Sequence, residues 1–260
     1  MNLNLIVSPS VEALSDTVAA DTLAAITHAA SSGRRILLGV PAGRTLVPVI
    51  TALTNKLRAH PQSLEHVTIV MMDDYVLGRE GEWAAPPATA HFSCRRFGEE
   101  LRDALNGAVA PASGISADGL WSPDPRDPSA YDVRIAEAGG IDIFFVAVGT
   151  SDGHVAFNPP MTPIDSGTRI IPLAATTRED NLGTFPEFAE LSDVPTHGIT
   201  VGIATISAAR RVEMIAHGAS KQPAIQRVVD SKDWDESWPA TFVYRHPDAV
   251  LRVDASAAPH

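Results

Sequence analysis

Asp152 and His154 stand two residues apart within Val148-Gly149-Thr150-Ser151-Asp152-Gly153-His154-Val155-Ala156-Phe157-Asn158. A carboxylate that close to an imidazole can fix the ring's tautomer and raise its basicity. The run just before it, Ile141 to Ala147, is almost wholly apolar and rich in β-branched and aromatic residues, so it reads as a strand buried on both faces. Asp152 and His154 then leave the C-terminal end of a central strand on a tight glycine turn, the end at which open α/β sheets bind ligands. The same spacing suits an ordinary βα turn with an Asx-type hydrogen bond and a surface histidine, and the stretch alone does not separate the two.

Three further strand ends carry polar chemistry. Pro41-Ala42-Gly43-Arg44-Thr45 follows the apolar run Arg35 to Val40. A glycine turn entering a helix offers backbone N–H groups, a hydroxyl and the positive end of a dipole, here with the Arg44 guanidinium, although the ending of a Walker loop is missing. Asp73-Asp74-Tyr75 follows His66 to Met72. Adjacent carboxylates cannot both occupy a dry pocket cheaply, so one faces a cleft while the other caps or meets solvent. His217-Gly218-Ala219-Ser220-Lys221 follows Arg211 to Ala216; Ser220 reads as an N-cap, which puts Lys221 in a first helical turn where a bound anion would relieve its opposition to the dipole. Each has a plain alternative: a βα turn, a solvated acid pair, a solvated lysine. Together they supply an anion cradle, a carboxylate, an Asp–His unit and a lysine, the inventory for acid–base chemistry on a small anionic molecule.

The elements that must position these groups alternate between strand and helix. Strands are predicted at Leu3 to Val7, Arg35 to Val40, His66 to Met72 (stopped by Asp73-Asp74), Ile141 to Ala147, Thr168 to Pro172, Gly198 to Ile203, Arg211 to Ala216, Thr241 to Tyr244 and Ala249 to Val253. Helices are predicted from Ser10 to about Ser32, Leu46 to Arg58, His91 to Asn106, Tyr131 to Ala138, Thr176 to Gly183 and Ser220 to Val229. Gly78 to Ala90 reads as a long loop and Pro111 to Ala130 as a connector. The expected class is α/β, a Rossmann-like open and largely parallel sheet flanked by helices on both faces. One domain spans 1–254, with 255–260 expected as a disordered tail.

Composition narrows the partners. The chain has 260 residues, 45% of them apolar, which supports a sizeable core. A formal net charge of −11 argues against a nucleic-acid surface or an anionic membrane face, while a few local cations can still serve a small anion. The single cysteine, Cys94, forms no internal disulfide and reads as packing. No apolar run reaches membrane-spanning length and the N-terminus lacks a signal-peptide pattern, so a cytoplasmic protein is expected. The oligomeric state, homo-oligomer included, is not legible.

Met72-Asp73-Asp74-Tyr75, Gly149 to Asn158, Val194-Pro195-Thr196-His197-Gly198-Ile199-Thr200-Val201-Gly202-Ile203 and Gly218-Ala219-Ser220-Lys221 together resemble motifs of the glucosamine-6-phosphate deaminase (isomerase) family, whose fold is shared with 6-phosphogluconolactonases. Asp73-Asp74-Tyr75, Asn158 and the block from Val194 favour the deaminase side. The resemblance implies that Asp73 shuttles a proton between C2 and C1 of an open-chain sugar. It implies that His154, oriented by Asp152, opens the ring, and that Lys221 and the turn Pro41, Ala42, Gly43, Arg44, Thr45 hold the phosphate. It implies no metal and no organic cofactor, and a ketose phosphate and ammonia as products.

The chain departs from the family pattern in several places. Pro159 stands where a glutamate completes the ring-opening unit, and Asp165 is the nearest substitute carboxylate. Gly183 stands where an arginine helps bind phosphate, a loss that Arg44 is placed to offset, and the turn before Asp152 is one residue longer. Arg169 matches a regulatory phosphate site but Ile171 does not, so no amino-sugar-phosphate allostery is expected. A lactone hydrolase in which His154 activates water, and a binding protein without turnover, are the other readings.

Overall fold

The computed structural model describes residues 3–185 and 187–260. In chain order the elements are β1 (Asn4–Ser8), α1 (Val11–Ser31), β2 (Ile36–Val40), α2 (Val47–Ala59), β3 (Val67–Met71), β4 (Asp73–Val76), α3 (Cys94–Asn106), β5 (Leu120–Trp121) and α4 (Ser129–Glu137). They continue as β6 (Ile143–Val146), β7 (Arg169–Pro172), α5 (Ala175–Thr184), β8 (His197–Thr200), α6 (Ile203–Ser207), β9 (Arg211–Ala216), α7 (Gln222–Ser231) and β10 (Ala249–Asp254). Seven strands form one parallel sheet in the order β1-β10-β9-β6-β2-β3-β5. A second sheet of three, β4-β8-β7, is antiparallel.

Alternation along the central strands sends side chains into two cores. Leu37, Val70 and Phe144 face the core that includes α4, α6 and α7, while Leu38, Ile69 and Phe145 face the core built with α1, α2 and α3. Helices therefore cover both faces, as the apolar strands require. From β2 the chain moves through β3 to β5, then returns to place β6 on the other side of β2. That reversal makes a switch point between β2 and β6, above which a crevice opens at the C-terminal strand ends.

Several sequence expectations are corrected. Asp73 and Asp74 do not stop a strand; they open β4, because antiparallel pairing with β8 (Asp73 opposite Thr200) gives the backbone a new ladder. Residues 198–203 divide into the end of β8 and the short helix α6. Thr241 to Tyr244 lies in a 3₁₀ turn, Pro239–Tyr244, buried throughout, and a short apolar run does not separate a buried strand from a buried helical turn. Within the Pro111 to Ala130 connector, Leu120–Trp121 pairs with β3, too short a strand to leave a periodic trace. Helix α3 starts at Cys94 rather than His91, since Ser93 takes the cap and accepts from the Arg96 N–H at 3.3 Å. The Ser220 cap does not form: Ala219–Lys221 is a 3₁₀ turn and α7 begins at Gln222 with a proline in its first turn. Residues 255–260 are packed rather than a free tail: Ala257 is buried in the main core, its N–H donates to Asp254, and the His260 N–H donates to Gln226 Oε1 at 2.8 Å.

The centre of the sheet is tightly fitted. Gly39 of β2 pairs with Phe144 of β6, and a Cβ on Gly39 would lie 2.6 Å from the Phe144 ring. Phe144 is fully buried. Phe144→Ala should therefore cost about 3–5 kcal/mol of stability, the range for emptying a phenylalanine site in a rigid core. Denaturant unfolding monitored by circular dichroism checks it; a loss below about 1 kcal/mol would show a site able to collapse.

Candidate active site

Three turns at the C-terminal ends of β9, β6 and β2, and the start of β4 just beyond the adjacent β3, converge on one cleft of about 390 Å³. Pro41, Ala42, Gly43, Arg44 and Thr45 line it, as do Asp73, His154 and Lys221. Asp152 stands outside the lining, behind His154, with its Oδ1 2.7 Å from the imidazole Nδ1. That contact assigns the ring proton to Nδ1 and leaves Nε2 as the basic nitrogen. Thr176 adds a hydroxyl donated to Asp152 Oδ2 at 2.6 Å. Burial would raise the Asp152 pKa, but the hydrogen bond and charge of His154 and the Thr176 hydroxyl hold it well below the ordinary carboxylate range.

The turn that carries this pair depends on its glycines. A Cβ on Gly149 would run into the His154 ring, so the backbone there supplies the wall against which the imidazole packs. Gly153 has φ +68°, and a side chain there would collide with the Trp238 indole. The Gly149 N–H donates to the His154 carbonyl at 2.8 Å. Asn158, fully buried, ties the turn to the end of β8 by donating from Nδ2 to the Val155 and Val201 carbonyls at 2.9 and 2.8 Å.

The acid pair divides as one group in the cleft and one in the frame. Asp74 accepts from the backbone N–H groups of Tyr75, Cys94 and Arg95 and from the Ser93 hydroxyl, which makes it an anchor for the start of α3. Asp73 faces the cleft and is only 6% exposed. Burial, opposed by a hydrogen bond with the Cys94 thiol and reinforced by the neighbouring Asp74 charge, raises its pKa to about 7. Such a carboxyl can both take and return a proton near neutral pH.

The cationic end lies across the cleft. Lys221 Nζ donates to the Val148 carbonyl at 2.6 Å, and burial lowers its pKa against the charge of Asp180, which raises it. Arg44 is exposed and reaches over to the Gly183 carbonyl, 3.5 Å from Nη2, so its guanidinium stands beside the residue where the family pattern places an arginine. Gly43 and Gly218 take φ +107° and +86°, and each opens a 3₁₀ turn that leads into a helix with proline in its first turn. His217 joins the two turns through a 3.1 Å contact of Nε2 with the Thr45 carbonyl.

Some residues escaped the sequence reading. Cys94 reads as packing in sequence, yet it lines the cleft and its thiol bonds the Asp73 carboxyl, with burial pushing its own pKa well up. Thr177, Asp180 and Asn181 enter the cleft from α5, a helix legible in the sequence but not as part of a site. Asp165 is exposed and outside the cleft lining, so it does not replace the carboxylate lost at Pro159. No group of three His, Cys, Asp or Glu side chains among the described residues is arranged to hold a metal ion.

Asp73 links the site to stability. Its folded pKa of about 7 exceeds the unfolded value near 3.9, so its contribution is fully present below about pH 4 and lost as pH rises through 7. Asp73→Asn removes the charge that is costly to bury. It should raise the thermal midpoint at pH 8 by at least about 2 °C, with no gain at pH 4. A scanning-calorimetry series showing the same shift at both pH values would contradict this.

Known proteins share this family and fold. Residues 9–251 match the family described as glucosamine-6-phosphate isomerases/6-phosphogluconolactonase. A glucosamine-6-phosphate deaminase of Shouchella clausii is 33% identical over 225 residues, 86% of this chain and 85% of that protein. One from Pseudarthrobacter chlorophenolicus is 36% identical over 222 residues, covering 85% and 80%. Among solved structures, a monomeric glucosamine-6-phosphate deaminase superposes with TM-score 0.82 at 22% identity over 98% of both chains. The 6-phosphogluconolactonase of Thermotoga maritima gives 0.65 at 15% identity, over 97% of this chain and 99% of that one. The chain belongs to the glucosamine-6-phosphate isomerase/6-phosphogluconolactonase family.

Proposed function

We propose that the protein is an amino-sugar-phosphate deaminase and isomerase, converting a substrate of the glucosamine 6-phosphate type to a ketose phosphate and ammonia, in the cytoplasm. The observation that carries this reading is the buried Asp73 carboxyl, with its pKa of about 7, in the same cleft as the Asp152-supported imidazole of His154. Curated relatives bearing the deaminase name match 85–86% of this chain. Nε2 of His154 takes the proton of the anomeric hydroxyl, the C1–O5 bond breaks as the C1 carbonyl forms, and the imidazolium gives the proton to the departing ring oxygen. Asp73 removes the C2 proton, α to the C1 carbonyl, and returns it to C1. Water then hydrolyses the C2 iminium and ammonia leaves. Lys221 and Arg44 hold the anionic end by charge-assisted hydrogen bonds.

Ammonia release from glucosamine 6-phosphate, measured beside acid release from 6-phosphogluconolactone, tests the assignment. Ammonia is expected, with loss of rate below about pH 7 as Asp73 is protonated and a fall of at least ~10²-fold in Asp73→Asn. Acid without ammonia would make the protein a lactonase, a reading favoured by the proline at 159, since a lactonase needs no ring-opening carboxylate. Binding of either compound without turnover would leave a sugar-phosphate binding protein.

Pro159 sets the expected slow step. It brings no carboxylate to His154, and Asp165 lies outside the cleft lining. Among the described residues Asp152 is the carboxylate hydrogen-bonded to the imidazole, with no second one bonded to stabilise the imidazolium, so ring opening should limit turnover. Deuterium at C2 should then give a primary isotope effect close to unity on kcat. A large effect would mean that proton transfer at C2 is limiting and that the missing glutamate costs little.

A further inference from the structure

One acidic side chain sits where the cleft is otherwise cationic. Asp180 lines the cleft from α5, together with Lys221 and Arg44 of the opposite turns. The Ser151 hydroxyl donates to its Oδ2 at 3.3 Å, fastening α5 to the turn after β6. Asp180 lies near enough to Lys221 for its charge to support the ammonium against desolvation. On the same face of α5, Thr177 Oγ1 and Asn181 Nδ2 are buried and find no hydrogen-bond partner among the described residues. Thr177 is 2% exposed and lines the cleft. The cleft thus presents the Lys221 and Arg44 cations, the Asp180 carboxylate and the uncharged Thr177 and Asn181 side chains among its lining groups.

We infer that Asp180 is a specificity-determining residue, which makes this end of the cleft selective for an amino sugar whose end group carries a single negative charge, a carboxylate or a singly ionised phosphate, over a doubly ionised phosphate. The inference rests on the reading of the cleft as an amino-sugar site. Two cations and one carboxylate leave a net charge of one to be balanced. A single negative charge satisfies Lys221 and Arg44 and accepts from Thr177 and Asn181, whereas a second negative charge is set against Asp180 with no further lysine or arginine among the cleft-lining side chains to offset it. A protonated phosphate oxygen could instead donate to Asp180.

The test compares wild type, Asp180→Asn and Asp180→Glu at pH 7.5. Asparagine retains an oxygen that accepts from Ser151, and glutamate retains the charge. Glucosamine 6-phosphate is mostly doubly ionised at this pH, and 2-amino-2-deoxyglucuronate carries one negative charge on its end group. Asp180→Asn should lower KM for the phosphate ester about tenfold and change KM for the uronate less than about twofold, while Asp180→Glu keeps the wild-type preference. An unchanged or raised KM for the phosphate ester in Asp180→Asn, or an equal gain for both sugars, overturns the inference. Calorimetric titration with inorganic phosphate gives a readout independent of catalysis. It should tighten about tenfold in Asp180→Asn; equal affinities, or no binding to either protein, overturn the inference. If no variant releases ammonia from either sugar, the proposed function fails, and the phosphate titration alone decides the role of Asp180.

Discussion

The site depends on a change of sheet at Met72. β3 ends as a central strand of the parallel sheet, and one residue later β4 begins as an edge of the antiparallel sheet. The Met72 N–H donates to Val40 and its carbonyl accepts from Val201, so this one residue is bonded to both. The handover leaves no room for a solvated loop, and Asp73 is buried as a consequence. Burial is what raises its carboxyl to about 7, and it also makes the ionised form costly to the fold. The stability cost and the capacity for proton transfer have the same physical origin.

Around that junction the polar groups serve two ends. Asp74, one residue on, is fully occupied with the start of α3, and this anchoring brings Cys94 against Asp73. Asp152 is similarly occupied by His154 and Thr176, which leaves one imidazole nitrogen for the cleft. In each case a carboxylate outside the cleft lining holds a neighbour that belongs to it, and the buried acids outside the reaction are all hydrogen-bonded, as low dielectric demands. The charged end differs in character. Arg44 is exposed and long, while Lys221 is half-buried and tied to a backbone carbonyl, so one cation is adaptable and the other fixed.

Local pattern in the chain carried much of this. Apolar runs of four to seven residues marked the parallel strands, because a strand covered on both faces has no polar side to display. Polar stretches after those runs marked the strand ends, and all four singled out in the sequence meet at the cleft, three of them as turns and Asp73 at the start of β4. The motifs at Asp73, Gly149 to Asn158 and Lys221 were sufficient to indicate the family. Where the reading erred, the deciding contacts were short or distant: a two-residue strand at Leu120, a ladder between Asp73 and Thr200, and a buried turn at Pro239–Tyr244.

By itself the sequence determined the α/β class, the order of most elements and which strand ends bear chemistry, since these follow from periodicity and residue type within a few positions. The tertiary structure decided the environment of each group. Which of Asp73 and Asp74 meets the cleft depends on β4 pairing with β8, more than a hundred residues along the chain. That Cys94 touches the Asp73 carboxyl, that Arg44 reaches Gly183 and that Asp180 shares a cleft with Lys221 follow from packing of α3 and α5 against turns remote in sequence. Charge and burial are sums over neighbours in space, and a chain lists its neighbours only along one dimension.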